Sequence, residues 1–150
     1  MLDRRRFIGT ADDYALYWVD VALLEGATLI GHKKATEALF DQLAGKTPHV
    51  ISYFSPTCVD RHLGATAALL GRPEEARNHY QEAIEVCTKV RFRPELALTR
   101  LGLAVLLLEH YPDEKEEALE HLDFAINEFR EMNMQPSLER AMRHKEILGA

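Results

Sequence analysis

The sequence has no apolar run that could cross a membrane. Its longest, Leu103 to Leu108, is six residues, where a spanning helix needs about 18 or more. It has no surplus of positive charge. Eighteen Lys and Arg stand against 24 Asp and Glu, so the basic stripe of a nucleic-acid binder is missing. There are too few cysteines for a disulfide scaffold. Cys58 and Cys87 both fall on apolar helical positions and read as buried free thiols in a reducing cytoplasm. Candidate strands are almost absent. So are the Gly-x-x-x-x-Gly-Lys-Ser/Thr loop and a strand-linked Gly-x-Gly-x-x-Gly, which excludes the usual phosphate cradles.

Metal chemistry is also poorly served. The histidines at 32, 49, 62, 79, 110, 121 and 144 form no His-Glu-x-x-His, and the cysteines form no Cys-x-x-Cys. They read as scattered surface imidazoles, and no metal or cofactor is expected. Carboxylate pairs such as Glu74-Glu75 and Glu116-Glu117 sit where helix first turns favour negative charge. The N-terminal "RRRFIG" has the arginines of an export signal. Asp12, Asp13, Asp20 and Glu25 interrupt the apolar stretch that should follow, so the arginines read as a solvated start. The expectation is a soluble, cytoplasmic, non-catalytic chain.

What is present is a repeat. Pro56, Pro94 and Pro136 are spaced by 38 and 42 residues. Leu63-Gly64 follows the first proline at the distance at which Leu101-Gly102 follows the second. Ala76, Tyr80 and Ala83 are matched by Ala118, Leu122 and Ala125. The difference in length falls around "EHYPDEK", a turn, where insertion costs little. Self-similarity at a period near ~40 residues indicates a helical solenoid.

Each unit reads as two helices. Proline removes an N–H and restricts the residue before it, so it ends one helix and starts the next. The first helices start at Pro56 and Pro94, with Ser55 as an N-cap. The second start after a turn, within "LGRPEEA" and "YPDEKEEA" near Pro73 and Asp113, and are amphipathic. Helix breaks are expected at 45–55, 71–73, 91–94, 110–113 and 132–136, with no sheet. A degenerate first unit spans 12–45, full units span 56–93 and 94–135, and 136–148 forms a capping helix. Its Arg140, Arg143, His144, Lys145 and Glu146 suit a polar outer face. Residues 46–55, "KTPHVISYFS", form a half-apolar connection expected to pack on the array.

The pattern Leu63-Gly64, Gly71, Ala76, Tyr80, Ala83 resembles the tetratricopeptide repeat. Two positions depart from it: Asp60 stands where a tryptophan is usual and Ala67 where a tyrosine is usual. The segments "RHLGATAALLGRPEEARNHYQEA", "FRPELALTRLGLA" and "EFREMNMQPSLERAMRHKE" further resemble the C-terminal region of large bacterial signalling ATPases, cyclase-like regulators and related transcriptional regulators. The resemblance implies an all-α, right-handed α-α superhelix of about seven antiparallel helices, and a protein–protein interaction or regulatory role.

It also implies a concave groove lined by the first helices. Spacing puts Trp18, Val21, Glu25 and Thr28 on its floor from the first unit. Cys58, Arg61, Ala65 and Ala68 follow from the second, and Leu96, Thr99, Leu103 and Leu106 from the third. Such a floor is mostly apolar, with Arg61 its one cation, and lacks the lysine and asparagine row that clamps a peptide carboxylate. It suits an amphipathic helix, a helix of a second copy or the neighbouring domain of a longer chain. A small-molecule sensor with a ligand between Trp18 and Arg61 is the alternative from another class. An enzyme undetected by motif is the third. The bland account is that Trp18 and the leucines are core.

Overall fold

A computed structural model describes residues 16–45, 49–51 and 56–148. Among them lie seven α-helices: α1 (Tyr17–Leu29), α2 (Lys33–Leu43), α3 (Val59–Leu69), α4 (Pro73–Lys89), α5 (Arg93–His110), α6 (Lys115–Glu131) and α7 (Gln135–Ile147). A 3₁₀ turn, Pro112–Glu114, precedes α6. The fold is an all-α superhelix of antiparallel helix pairs. The expected breaks at 71–73, 91–94, 110–113 and 132–136 separate successive helices.

The sequence explains the pairing. In α4, Ala76, Tyr80, Ala83 and Cys87 are buried, and in α6 their counterparts Ala118, Leu122, Ala125 and Phe129 are buried too. One face of each is therefore core, and the glutamates of the other meet solvent. Helix α5 behaves differently. It packs against α3, α4, α6 and α7, and its leucines are buried on several sides. Leu101, Leu103, Leu106 and Leu107 are all within 2% of full burial, each worth roughly 1.5–3 kcal/mol of transfer free energy. At the end of α3, Gly71 adopts φ +74°, a left-handed turn that glycine takes without a Cβ penalty.

Close approach in the middle of the stack depends on two glycines. A Cβ at either Gly64 or Gly102 would lie 2.8 Å from the Tyr80 ring. Tyr80 of α4 is thus wedged between α3 and α5. Polar pairs then repeat along the stack between successive units. Arg72 reaches Glu37, Arg77 reaches Glu114 and Arg93 reaches Glu128 at 3.0, 2.6 and 2.8 Å.

Two expectations are corrected. The first full helix begins at Val59, not Pro56, and Cys58 is its N-cap residue; Ser55 lies outside the described residues. The chain also forms a short sheet. Val50–Ile51 (β1) pairs antiparallel with Thr57–Cys58 (β2), two residue pairs in all. Thr57 and Cys58 stay extended because they are already satisfied. The Cys58 N–H donates to Glu95 at 2.8 Å, and the Val59 N–H donates to the His49 carbonyl at 2.7 Å. Of the 46–55 connection, only 49–51 are described.

Candidate functional site: the inner-helix groove

Helices α1, α3, α5 and α7 stand on one side of the array and enclose a cavity of about 130 Å³. Its walls are Glu25, Thr28 and Leu29 of α1; Arg61, His62 and Ala65 of α3; Leu98 and Gly102 of α5; and Arg140 of α7. Tyr80 forms part of its base. Thr28 and Thr66 close the α1–α3 seam with a 2.9 Å hydroxyl–hydroxyl hydrogen bond.

One wall is electrostatically locked. Arg61 Nε donates to Glu95 Oε2 at 2.7 Å and Arg61 Nη2 donates to Glu95 Oε1 at 3.1 Å, a bidentate pair. Glu95 is 5% exposed. Burial opposes the Arg61 charge, but the bonds to Glu95 outweigh it and raise its pKa. The same guanidinium lies 3.2 Å from His62 Nε2. The Thr57 hydroxyl lies closer still to the same ring nitrogen, at 2.7 Å. Burial first, and the neighbouring Arg61 charge second, push the His62 pKa down to about 3. His62 is therefore a neutral part of the wall near pH 7.

A second buried carboxylate supports the wall from behind. His49 Nδ1 donates to Asp60 Oδ2 at 2.7 Å and His79 Nδ1 donates to Oδ1 at 3.4 Å. Burial works to raise the Asp60 pKa; the two histidine bonds overcome it and hold the group below its ordinary range. So His62, His49 and His79 are part of built polar contacts, where the sequence suggested scattered surface rings. His121 lies 3.6 Å from Glu117 on one helix face, but its side chain is only 13% exposed, so it too is no surface ring. Among the described residues, no group of three or more His, Cys, Asp or Glu could hold a metal ion, and no helix is long and apolar enough to cross a membrane.

Arg140 is different. It lines the cavity, and no hydrogen bond or ion pair engages its guanidinium among the described residues. Burial and then the Arg61 charge lower its pKa. The cavity thus offers one uncommitted cation on α7 and one carboxylate, Glu25, on α1. The nearest ring nitrogen to Glu25 is Nδ1 of the neutral His62, at 4.0 Å.

The residues placed on the groove floor by spacing divide four ways, with Ala68 packed against the main core. Glu25, Thr28, Arg61 and Ala65 do line the cavity. Val21, Leu103 and Leu106 are each 2% exposed and belong to the main core, and Thr99 is fully buried, its hydroxyl donating to the Glu95 carbonyl at 2.7 Å. Cys58 is fully buried in a small cluster with Ala83 and Cys87, against which the half-buried Leu96 packs. Trp18 is 37% exposed on α1 and does not line the cavity. Arg61 is tied to Glu95, so it is not the free cation the spacing suggested. On α5 the groove positions are Leu98 and Gly102. The frame slipped there because α5 is apolar on several sides, and periodicity does not distinguish its faces. Arg140 read as part of a capping face, yet it follows Pro136 at the distance at which Leu98 follows Pro94. Carrying the repeat one unit further would have placed it in the groove.

This arrangement, inner helices around a groove and outer helices facing solvent, has a family counterpart. Residues 57–130 match the tetratricopeptide repeat. The match covers α3 to α6, including Gly64, Tyr80 and Gly102. Tetratricopeptide repeats generally mediate protein–protein interaction and are typically non-catalytic. No curated protein and no solved structure matches the chain.

Proposed function

We propose that the groove between α1, α3, α5 and α7 is a docking surface for a segment of another protein, and that the chain is a non-catalytic regulatory module. The observation that carries this is Arg140, a cavity-lining guanidinium without a partner among the described residues. It faces apolar wall positions Leu29, Ala65 and Leu98. A helix or extended segment with a carboxylate beside apolar side chains fits those groups. Glu25, on the opposite wall, would favour a basic residue further along the same segment. We further propose that the chain acts as a single repeat domain, with units 12–45, 56–93 and 94–135 and the cap 136–148. From the resemblance of residues 56–148, its setting is a larger bacterial signalling ATPase, cyclase-like or transcriptional regulator in the cytoplasm.

Charge reversal tests the reading. Arg140→Glu should sharply reduce recovery of the bound protein from cells while leaving helical circular dichroism unchanged. Glu85→Lys on the outer face of α4 should leave recovery unchanged. Equal recovery by both variants would remove the groove from consideration. Retention of a small molecule, with no protein, would favour the ligand-sensor reading instead.

A further inference from the structure

Tyr80 is 5% exposed, yet its hydroxyl has no hydrogen-bond partner among the described residues. A buried phenol ordinarily finds one. The oxygen is not among the sealed, unpaired atoms of the fold, so it borders open space. The ring shows which space. Its root lies against Gly64 and its hydroxyl end against Gly102. Gly102 and Tyr80 both line the groove cavity, so the hydroxyl is the end of the ring that meets it.

Two guanidinium groups converge on the same cavity. Arg61 uses Nε and Nη2 on Glu95 and Thr57, while its Nη1 has no partner among the described residues and is not sealed either. Arg140 enters from α7, uncommitted. Both charges act on Tyr80 and favour its ionised form, but burial outweighs them and pushes its pKa up to about 12. The phenol is therefore protonated near pH 7 and available as a donor.

Three donors from α3, α4 and α7 call for an acceptor with more than one oxygen. The charges select among such acceptors. Glu95 offsets Arg61 from behind, and Glu25 faces the cavity from α1. A monoanion suits this balance better than a dianion such as phosphate. Leu29, Ala65 and Leu98 suit an aliphatic stem. A carboxylate on a short aliphatic stem meets all of these conditions. A cavity of about 130 Å³ has room for such a group, but not for a helix.

We propose that the Tyr80 hydroxyl, Arg61 Nη1 and Arg140 form a carboxylate subsite at the base of the groove, which receives an acidic side chain of the docked segment. The subsite rests on the docking role proposed for the groove. It adds to that role a buried specificity group, Tyr80, supplied by an outer helix.

Butyrate is the probe, and butyramide, of the same shape without the charge, is the control. The full chain is titrated with each at constant ionic strength, and the amide signals of Ala65 and Gly102 are followed by NMR. Butyrate should shift both signals saturably, and butyramide should not. Tyr80→Phe removes only an oxygen that bonds nothing among the described residues, so the variant should melt at the wild-type temperature. It should bind butyrate at least about tenfold more weakly, the worth of one hydrogen bond to a charged acceptor. No saturable shift, equal shifts with butyramide, or equal affinity in Tyr80→Phe would each overturn the subsite. So would a lower melting temperature of Tyr80→Phe, which would make the hydroxyl a structural group. The wild-type comparison of butyrate with butyramide decides the charge requirement even if the variant fails to fold.

Recovery of the docked protein from cells separates this proposal from the docking reading. Tyr80→Phe should lower recovery, as Arg140→Glu does. Loss in Arg140→Glu alone, with no butyrate binding, would overturn the subsite and leave docking standing. Butyrate binding with full recovery by Tyr80→Phe would overturn the assignment to the docked segment and give the site to a free acid.

Discussion

Gly64 and Tyr80 fit together only because one of them has no side chain. A Cβ at Gly64 would lie 2.8 Å from the Tyr80 ring, and Gly102 presses on the same ring from α5 at the same distance. Tyr80 is 5% exposed and held on both sides, so it cannot swing away. Gly64→Ala and Gly102→Ala should each lower stability by about 1–3 kcal/mol through overpacking, even though alanine favours a helix by about 1 kcal/mol. Gly26 in α1 is the control, since a Cβ there meets nothing within 4 Å. Gly26→Ala should stabilise by about 0.5–1 kcal/mol. Urea melts that show the same sign at all three positions would contradict the wedge.

The face of α5 that meets the groove has its own test. Leu98 lines the cavity and is half-buried, whereas Leu103 is 2% exposed in the core. Leu98→Glu should leave helical circular dichroism intact. Leu103→Glu should melt the domain, because a buried unpaired carboxylate is too costly to accommodate. A folded Leu103→Glu variant would return that residue to the groove.

How far these features were legible depends on the helix. Pro73, Pro94 and Pro136 marked helix starts, and Ala76, Tyr80 and Ala83 against Ala118, Leu122 and Ala125 gave the outer helices their buried face. All of these are local signals with a helical period. The inner helices carry no such contrast, so Leu103 and Leu106 were placed on the floor when they are core. Pro56 failed as a helix start because long-range bonds to Glu95 and His49 keep Thr57 and Cys58 extended. The pairing of Arg61 with Glu95 spans 34 residues, and no local pattern reveals it.

Glu95 is the fixed point of the groove wall. It accepts from Arg61, from the Cys58 N–H and from the Thr57 hydroxyl. Glu95→Ala leaves a partly buried guanidinium uncompensated and should cost about 3–5 kcal/mol. Glu128→Ala removes a more exposed partner of Arg93 and should change stability little. Thermal melts of the two variants check the contrast; similar losses would mean that the buried pair is not special.

His62 should make the fold sensitive to mild acid. Its folded pKa is about 3 against an ordinary 6.5. Between those values the unfolded chain binds a proton that the folded chain does not. Stability from this group is therefore complete above about pH 6.5 and falls as pH drops toward about 3. Asp60, held low by its two histidines, adds its own loss only below its ordinary value of 3.8. His62→Gln removes the first titration, so its stability should fall less between pH 6.5 and 4, on the order of a few kcal/mol less. Parallel pH profiles for the two proteins would contradict the buried neutral imidazole.

Site-specific photo-crosslinking in cells tests the docking groove most directly. A photoreactive residue replaces Leu98 in the groove, and in a second protein it replaces Glu85 on the outer face. The account predicts a discrete protein adduct from position 98, absent from position 85 and lost when Arg140→Glu is added. Adducts of equal yield from both positions, or from position 85 alone, would contradict the groove as the working surface of this protein.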